Sequence, residues 1–207
     1  APRPDEPKPV INKTMVFIKC CASDDSKLCD ERYIFSGVDA DVKKILIRLT
    51  EKHDMTTEGG LQFAINQIEA CHCCYILLMG SLPCTARAGW QSVNPVKNPN
   101  HTTNIAKHMK TFRGLFRNFR TLADMVIARG GDVVFEWPAH NKSWGERCVK
   151  KMIKELNFNR VKFHGCRLGL VSSSSKPIKK PWALETTIPQ ITDAFHDQTC
   201  IGDHNMT

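Results

Sequence analysis

Residues 76–94 read ILLMGSLPCTARAGWQSVN. An apolar run stops at Gly80 and Ser81, and Pro83 then holds Cys84 at the exit of what reads as a buried strand. A structural thiol needs no such placement. A nucleophile or a ligand does, a nucleophile because the reacting species is a thiolate at an accessible, electropositive position. Arg87, three residues on, is the nearest cation to favour that thiolate. A second apolar run, VVFEWP, ends in Glu136, where a strand end would aim a carboxyl group at the same edge. A thiol and a carboxyl on neighbouring strand ends are candidates for covalent catalysis at that edge. The plainer readings are a buried loop thiol for Cys84 and, for Glu136, a charge that caps the next helix or pairs with a lysine.

These residues need strands to place them, and the chain alternates strand and helix. Residues 14–21 (TMVFIKCC) form a continuous apolar run, the kind buried on both faces of a sheet. Strands are predicted over 43–50, 73–81 and 132–138, and further strands in RVKFHGCRLGL and WALETT. Helices are predicted in DDSKLCDERYIF (or a loop there), from Thr57 to Ala70 with Thr56 or Thr57 as N-cap, and from about Thr103 to Arg129. Two more are predicted in GERCVKKMIKELN and IPQITDAFHD. In the long helix Phe112, Phe116, Phe119, Leu122 and Val126 step by three and four. Gly130 and Gly131 end it. Such alternation predicts an α/β fold, a mostly parallel sheet with helices on both faces and its ligand beyond the carboxyl ends of the strands.

The 207 residues suit one domain with a full core, here 14–207, behind a Pro-rich charged linker or tail over 1–13. With Ala1 at the start, we expect a domain cut from a longer chain. Lys and Arg number 29 against 21 Asp and Glu, a formal net charge of +8 that favours an anionic partner such as nucleic acid. The ten cysteines include the adjacent pairs Cys20–Cys21 and Cys73–Cys74, and most lie in apolar runs. That pattern fits a reduced, intracellular protein better than a secreted disulfide scaffold. No run approaches the roughly 20 apolar residues of a membrane span. No metal is expected: CHCC at 71–74 lacks the spacing of a structural zinc site, and Cys200 with His204 offers only two ligands.

The set of strand ends resembles the Rossmann-like class I methyltransferases that use S-adenosylmethionine. It is closest to the carbon-5 DNA cytosine methyltransferases, including their divergent branch in phage and retrotransposon polyproteins. The residues that carry the resemblance are the small-residue turn CCASDDS after the first strand, Asp54 in EKHDMTT, SLPC, FEWP, and HGCRLGL followed by KPIKKPW. It covers about Val16 to Thr187. It implies that Cys84 adds to a pyrimidine ring flipped out of its helix and makes carbon-5 nucleophilic, while Glu136 contacts a ring nitrogen. Arg87 and Lys180 would assist.

For the cofactor, the resemblance implies contacts from Cys20, Cys21, Ala22, Ser23 and Ser26 of the first turn, Arg48 and Leu49 near the ribose, Asp54 on the adenine amino group and Met55 beside its ring. Gly80, Ser81 and Pro83 would border the same cleft. The turn departs from the family pattern: it has no glycine, and Ile18 and Lys19 stand where an acidic residue is expected. Asp54 reads equally as the N-cap of the next helix.

Phosphate contacts are expected from Arg113, Arg117 and Arg120, which continue a ridge begun by Lys107 and Lys110, and from Lys176 and Lys179 on the later hairpin. A merely solvated helix face is the plainer alternative. Trp90 and Trp144 follow the two motif loops, as base-stacking or loop-anchoring residues. The reading is therefore a methyltransferase acting on a nucleic acid base, DNA before RNA, in the nucleus or in a viral or mobile-element setting. The alternatives are an inactive methyltransferase-like domain that binds nucleic acid or a partner protein, and an RNA methyltransferase. The short stretch between Gly169 and Pro189, standing where the family carries a separate target-recognition domain, favours the inactive form.

Overall fold

A computed structural model of the chain describes residues 14–21, 35–87 and 101–202. The linker at 1–13, the segment 22–34 with Ala22, Ser23 and Ser26, and the loop at 88–100 with Trp90 lie outside the described residues, as does His204.

Six strands form one mixed sheet: β1 (Thr14–Cys20), β2 (Lys43–Leu49), β3 (Tyr75–Gly80), β4 (Asp132–Pro138), β5 (Asn159–His164) and β6 (Pro181–Thr186), in the order β2-β1-β3-β4-β6-β5. β1 pairs in parallel with β2 and β3, and β3 with β4. β6 runs antiparallel to both β4 and β5. The chain leaves β1 towards β2 and returns to its other side at β3. A crevice opens at such a reversal, beyond the carboxyl ends of the strands. As its composition predicts, β1 is buried on both faces from Val16 to Cys20.

Four described helices cover the sheet: α1 (Glu58–Ala70), α2 (His101–Ala128), α3 (Arg147–Glu155) and α4 (Pro189–Phe195). Residues from α1, α2 and α3 share one core with Val16, Ile18, Leu78, Phe135 and Trp137. The α2 stripe from Phe112 to Val126 is buried there as its spacing requires, with Phe119 against Phe135 at 5.2 Å between ring centres. On the opposite face Ile191 and Phe195 of α4 pack on Val134, Phe163 and Leu184.

Local chemistry sets the ends. Thr57 caps α1 by accepting from the Gly60 N–H at 3.1 Å. A Cβ at Gly60 would lie 1.9 Å from the His53 carbonyl oxygen, so only glycine lets α1 begin directly against the 51–54 turn. Gly130, at φ +76°, ends α2. The predicted strand over RVKFHGCRLGL stops early: β5 ends at His164, and Gly165–Leu168 form a single 3₁₀ turn with Gly169 in the left-handed region. Beyond it, Gly165 N–H donates to the Lys180 carbonyl and closes the hairpin that leads into β6.

Candidate functional site

Two strand ends meet at the reversal point. After β1 the chain passes Cys21, and after β2 it makes a 3₁₀ turn, Glu51–His53, followed by Asp54. Between them lies a cavity of about 570 Å³, lined by Cys21, Leu49, Thr50, Asp54, Met55 and Pro83 among others. Five of the residues expected to hold a cofactor (Cys21, Leu49, Asp54, Met55 and Pro83) are among its walls.

The floor of this cavity is built from the core. Asn118, buried in the apolar face of α2, donates to the Met55 carbonyl at 2.8 Å and fixes the loop that carries Asp54. Asp54 Oδ1 accepts from both the N–H and the hydroxyl of Thr56. Those bonds, the hydroxyl first, hold its carboxyl below the usual carboxylate range. Asp54 is therefore an ionised acceptor at neutral pH, chemistry that suits an amino group. It is not the N-cap of α1, a place that Thr57 takes.

Other expected cofactor contacts fall elsewhere. Cys20 is 1 % exposed and belongs to the α1–α3 core. Burial pushes its thiol well above the ordinary value, with the neighbouring Cys21 adding to the effect. Arg48 lies on the opposite face of β2 from Leu49, as strand alternation requires, and does not line the cavity. Gly80 is a packing glycine: a Cβ there would lie 2.6 Å from the Phe119 ring and 2.7 Å from Phe135. Ser81 turns away from the cavity and donates its hydroxyl to Glu136 Oε2 at 3.2 Å.

The Pro-Cys loop is fastened to the segment after β4. Trp137 Nε1 donates to the Leu82 carbonyl at 2.7 Å, and Asn141 Nδ2 donates to the Cys84 carbonyl at 3.0 Å. Cys84 is half-buried against the α1–α3 core. Glu136 and Cys84 thus share the carboxyl edge of one sheet, but from different sides. Phe135 and Trp137 face α2, and Glu136 alternates to the other face. There burial pushes its carboxyl up, while the Ser81 hydroxyl and the charges of Lys19 and Lys180 pull it part of the way back.

Lys19, a lysine only 3 % exposed, was not among the expected site residues. Its signal was the one charge inside the apolar run of β1. Asn118 and Asn141 were also missed. Each is a buried amide in an otherwise apolar setting.

Two expectations about cations are corrected. Arg87 does not serve Cys84, because its guanidinium is paired with Glu146 at 2.7 Å. Arg120 is held by Asp124 at 2.9 Å and by Glu155 at 3.0 Å, so it is not a free phosphate contact. Lys180 stands over the Trp182 ring at 4.2 Å. Trp144 is 8 % exposed, donates to the Pro138 carbonyl and meets Trp137 edge to face, so it anchors a loop and offers no face to a base.

The basic residues of α2 are outward. Lys107, Lys110, Arg113 and Arg117 are all exposed. Arg113 and Arg117 also border an open groove between α2 and α3, to which Arg147 and Lys151 add two more cations. Lys176 and Lys179 lie on the β5–β6 hairpin, the first exposed and the second half-buried. No helix among the described residues is long and apolar enough to cross a membrane. Compared with family models, curated proteins and solved structures, the chain matches none of them.

Proposed function

We propose that the chain is a class I methyltransferase-type domain that uses S-adenosylmethionine to methylate a nucleic acid base, cytosine carbon-5 in DNA being the favoured target. The observation that carries this reading is the cavity at the β1–β2 strand ends, with Asp54 and Met55 in its wall and Pro83 of the Pro-Cys loop at its rim. The order β2-β1-β3-β4, with its reversal beside β1, is compatible with a Rossmann-like architecture that binds its ligand at this point.

The residues present fit such a cofactor in part. Asp54 supplies an ionised acceptor for an amino group, and Leu49, Met55 and Leu115 supply apolar surface for a flat ring. When bound, S-adenosylmethionine supplies the methyl group. Cys84 forms the carbon–sulfur bond to the ring carbon next to carbon-5, and the displaced electron pair is shared into the ring towards its nitrogen. Glu136, whose burial favours the protonated form, would hold a proton at that nitrogen from the other side of the sheet edge, so the ring must enter over that edge between the two side chains. A methylated carbon-5 would give its proton to water, and the electron pair returned to the ring would expel the sulfur and restore Cys84. Arg113 and Arg117 on α2, with Lys176 and Lys179 on the hairpin, meet the phosphates.

A second reading, a methyltransferase-like domain that binds nucleic acid without catalysis, is favoured by one observation. The Arg87 guanidinium is spent on Glu146 and leaves Cys84 without its nearest expected activator. Calorimetric titration with S-adenosylhomocysteine separates the two. Binding by the wild-type chain, weakened about tenfold or more in Asp54→Ala, supports the cofactor site, since tenfold corresponds to about 1.4 kcal/mol for one lost charged contact. Folded protein that binds nucleic acid but no S-adenosylhomocysteine supports the second reading.

A further inference from the structure

Cys166 and Cys200 are 34 positions apart in sequence and meet in space. Cys166 lies in the 3₁₀ turn that follows β5. The chain beyond α4 returns to this turn: His164 N–H donates to the Gln198 carbonyl at 2.8 Å, and Cys200 N–H donates to His164 Nδ1 at 2.7 Å. These bonds bring the two thiols into hydrogen-bond contact. The Cys200 sulfur accepts a further hydrogen bond from the Gly202 N–H at 3.4 Å. Both residues are half-buried, and neither is in a disulfide.

The remaining cysteines differ. Cys71 and Cys74 point their thiols at the backbone carbonyls of Gln67 and His72. Cys73 and Cys148 are exposed. Cys71 and Cys74 also lie within electrostatic reach of each other, but each thiol is engaged by a backbone carbonyl rather than by the other sulfur. We propose that Cys166 and Cys200 form a redox-active pair, a modification site that closes reversibly to a disulfide and ties the segment after α4 to the end of β5. The proposal stands apart from the methyltransferase reading and does not depend on it.

The roles follow from the backbone at Cys200. Its sulfur accepts the Gly202 N–H, which favours the thiolate, so it is the attacking sulfur. Burial, together with the hydrogen bond it shares with Cys200, pushes the Cys166 thiol up, and Cys166 keeps its proton until the second step. With a small disulfide such as glutathione disulfide as oxidant, the Cys200 sulfur loses its proton to water and attacks one sulfur of the oxidant. That sulfur–sulfur bond breaks and one glutathione leaves. Cys166 then loses its proton and attacks the Cys200 sulfur, releasing the second glutathione. Two thiols become one disulfide, and one glutathione disulfide becomes two glutathiones. Closure also holds Gly165, next to Cys166, and with it the Lys180 carbonyl to which the Gly165 N–H donates.

The test uses the whole chain. It is incubated with excess glutathione disulfide at neutral pH, its remaining thiols are alkylated, and its peptides are mapped by mass spectrometry. The expected result is a Cys166–Cys200 linkage as the dominant protein disulfide, reversed by dithiothreitol, while Cys73 and Cys148 stop at glutathione adducts. The urea-unfolded chain should lose that preference. In Cys166→Ser, glutathione should stay trapped on Cys200 several-fold more than on Cys166 in Cys200→Ser. A dominant linkage to any other cysteine overturns the proposal, as do stable glutathione adducts on both partners or the same preference in the unfolded chain. Equal trapping in the two serine variants overturns the assignment of Cys200 as the attacking sulfur.

Discussion

The side-chain amide of Asn141 grips the backbone of Cys84: Nδ2 donates to the Cys84 carbonyl at 3.0 Å, while Oδ1 accepts from the Ser143 N–H at 2.7 Å. One residue, 5 % exposed, therefore joins the loop after β3 to the loop after β4. Asn141→Ala removes both bonds and leaves the Cys84 carbonyl with the Arg87 N–H alone, at 3.3 Å. Unfolding in urea should show a loss of about 1–3 kcal/mol. Alkylation of Cys84 in the folded variant should become faster, because its loop is no longer fastened. An unchanged stability and an unchanged alkylation rate would mean that Trp137, bonded to the Leu82 carbonyl at 2.7 Å, holds the loop alone.

Asn118 does the same for the cavity at the β1 and β2 strand ends from beneath, through its 2.8 Å bond to the Met55 carbonyl. Asn118→Ala should cost about 1–3 kcal/mol of stability, since it opens a gap and orphans a carbonyl. If the cavity binds S-adenosylhomocysteine, the same variant should weaken that binding although Asn118 is not among the residues that line it. Wild-type affinity in a destabilised Asn118→Ala protein would show that the Asp54–Met55 loop keeps its shape without the bond.

Much of this architecture was legible in the chain because it rests on periodicity. The α2 stripe, the continuous apolar run of β1 and the strand at 132–138 are local patterns, and each forms the element its pattern predicts. The site was legible in part, for a physical reason. Which strand end a residue occupies depends on local sequence, and so Cys21, Leu49, Asp54, Met55 and Pro83 reach the cavity. Which way its side chain turns, and which distant partner takes it, depends on non-local pairing. Arg48 alternates away from the cavity, Arg87 finds Glu146 59 positions along the chain, and Ser81 finds Glu136 55 positions along. None of those partners is encoded in a short motif.

Two glycines should respond in opposite directions. Gly80 has no room for a methyl group, with Phe119 and Phe135 within 2.7 Å of any Cβ. Gly80→Ala should cost about 1–3 kcal/mol by overpacking. Gly114 lies in the middle of α2 with nothing within 4 Å of a Cβ, so Gly114→Ala should add about 1 kcal/mol from helix propensity. Thermal melts of the two variants check both signs.

The basic groove should show itself in salt dependence. Arg113 and Arg117 are exposed, whereas Arg120 is tied to Asp124 and Glu155. If this face binds nucleic acid, the plot of log affinity against log salt concentration should lose roughly 1 unit of slope for Arg113→Ala and again for Arg117→Ala. Arg120→Ala should change the slope far less. Equal effects from all three would place Arg120 on the phosphates, its ion pairs having yielded to them.

Glu136 makes stability depend on pH with a definite sign. Its folded-state carboxyl lies above the ordinary glutamate value because burial disfavours the anion, with Ser81, Lys19 and Lys180 offsetting only part of that cost. The folded state therefore holds its proton more tightly than the unfolded chain, and the stability linked to Glu136 falls as pH rises. That contribution is fully present below the unfolded-state value of about 4.3 and is lost as pH climbs through the raised folded value. Glu136→Gln cannot ionise and escapes the loss. Its melting temperature relative to wild type should rise steadily across that window and level off above it. Glu185 also has a raised carboxyl, for the same leading reason, but it is present in both proteins and cancels in the difference. A difference that stays flat with pH would mean that Ser81 and the two lysines offset the burial of the anion in full.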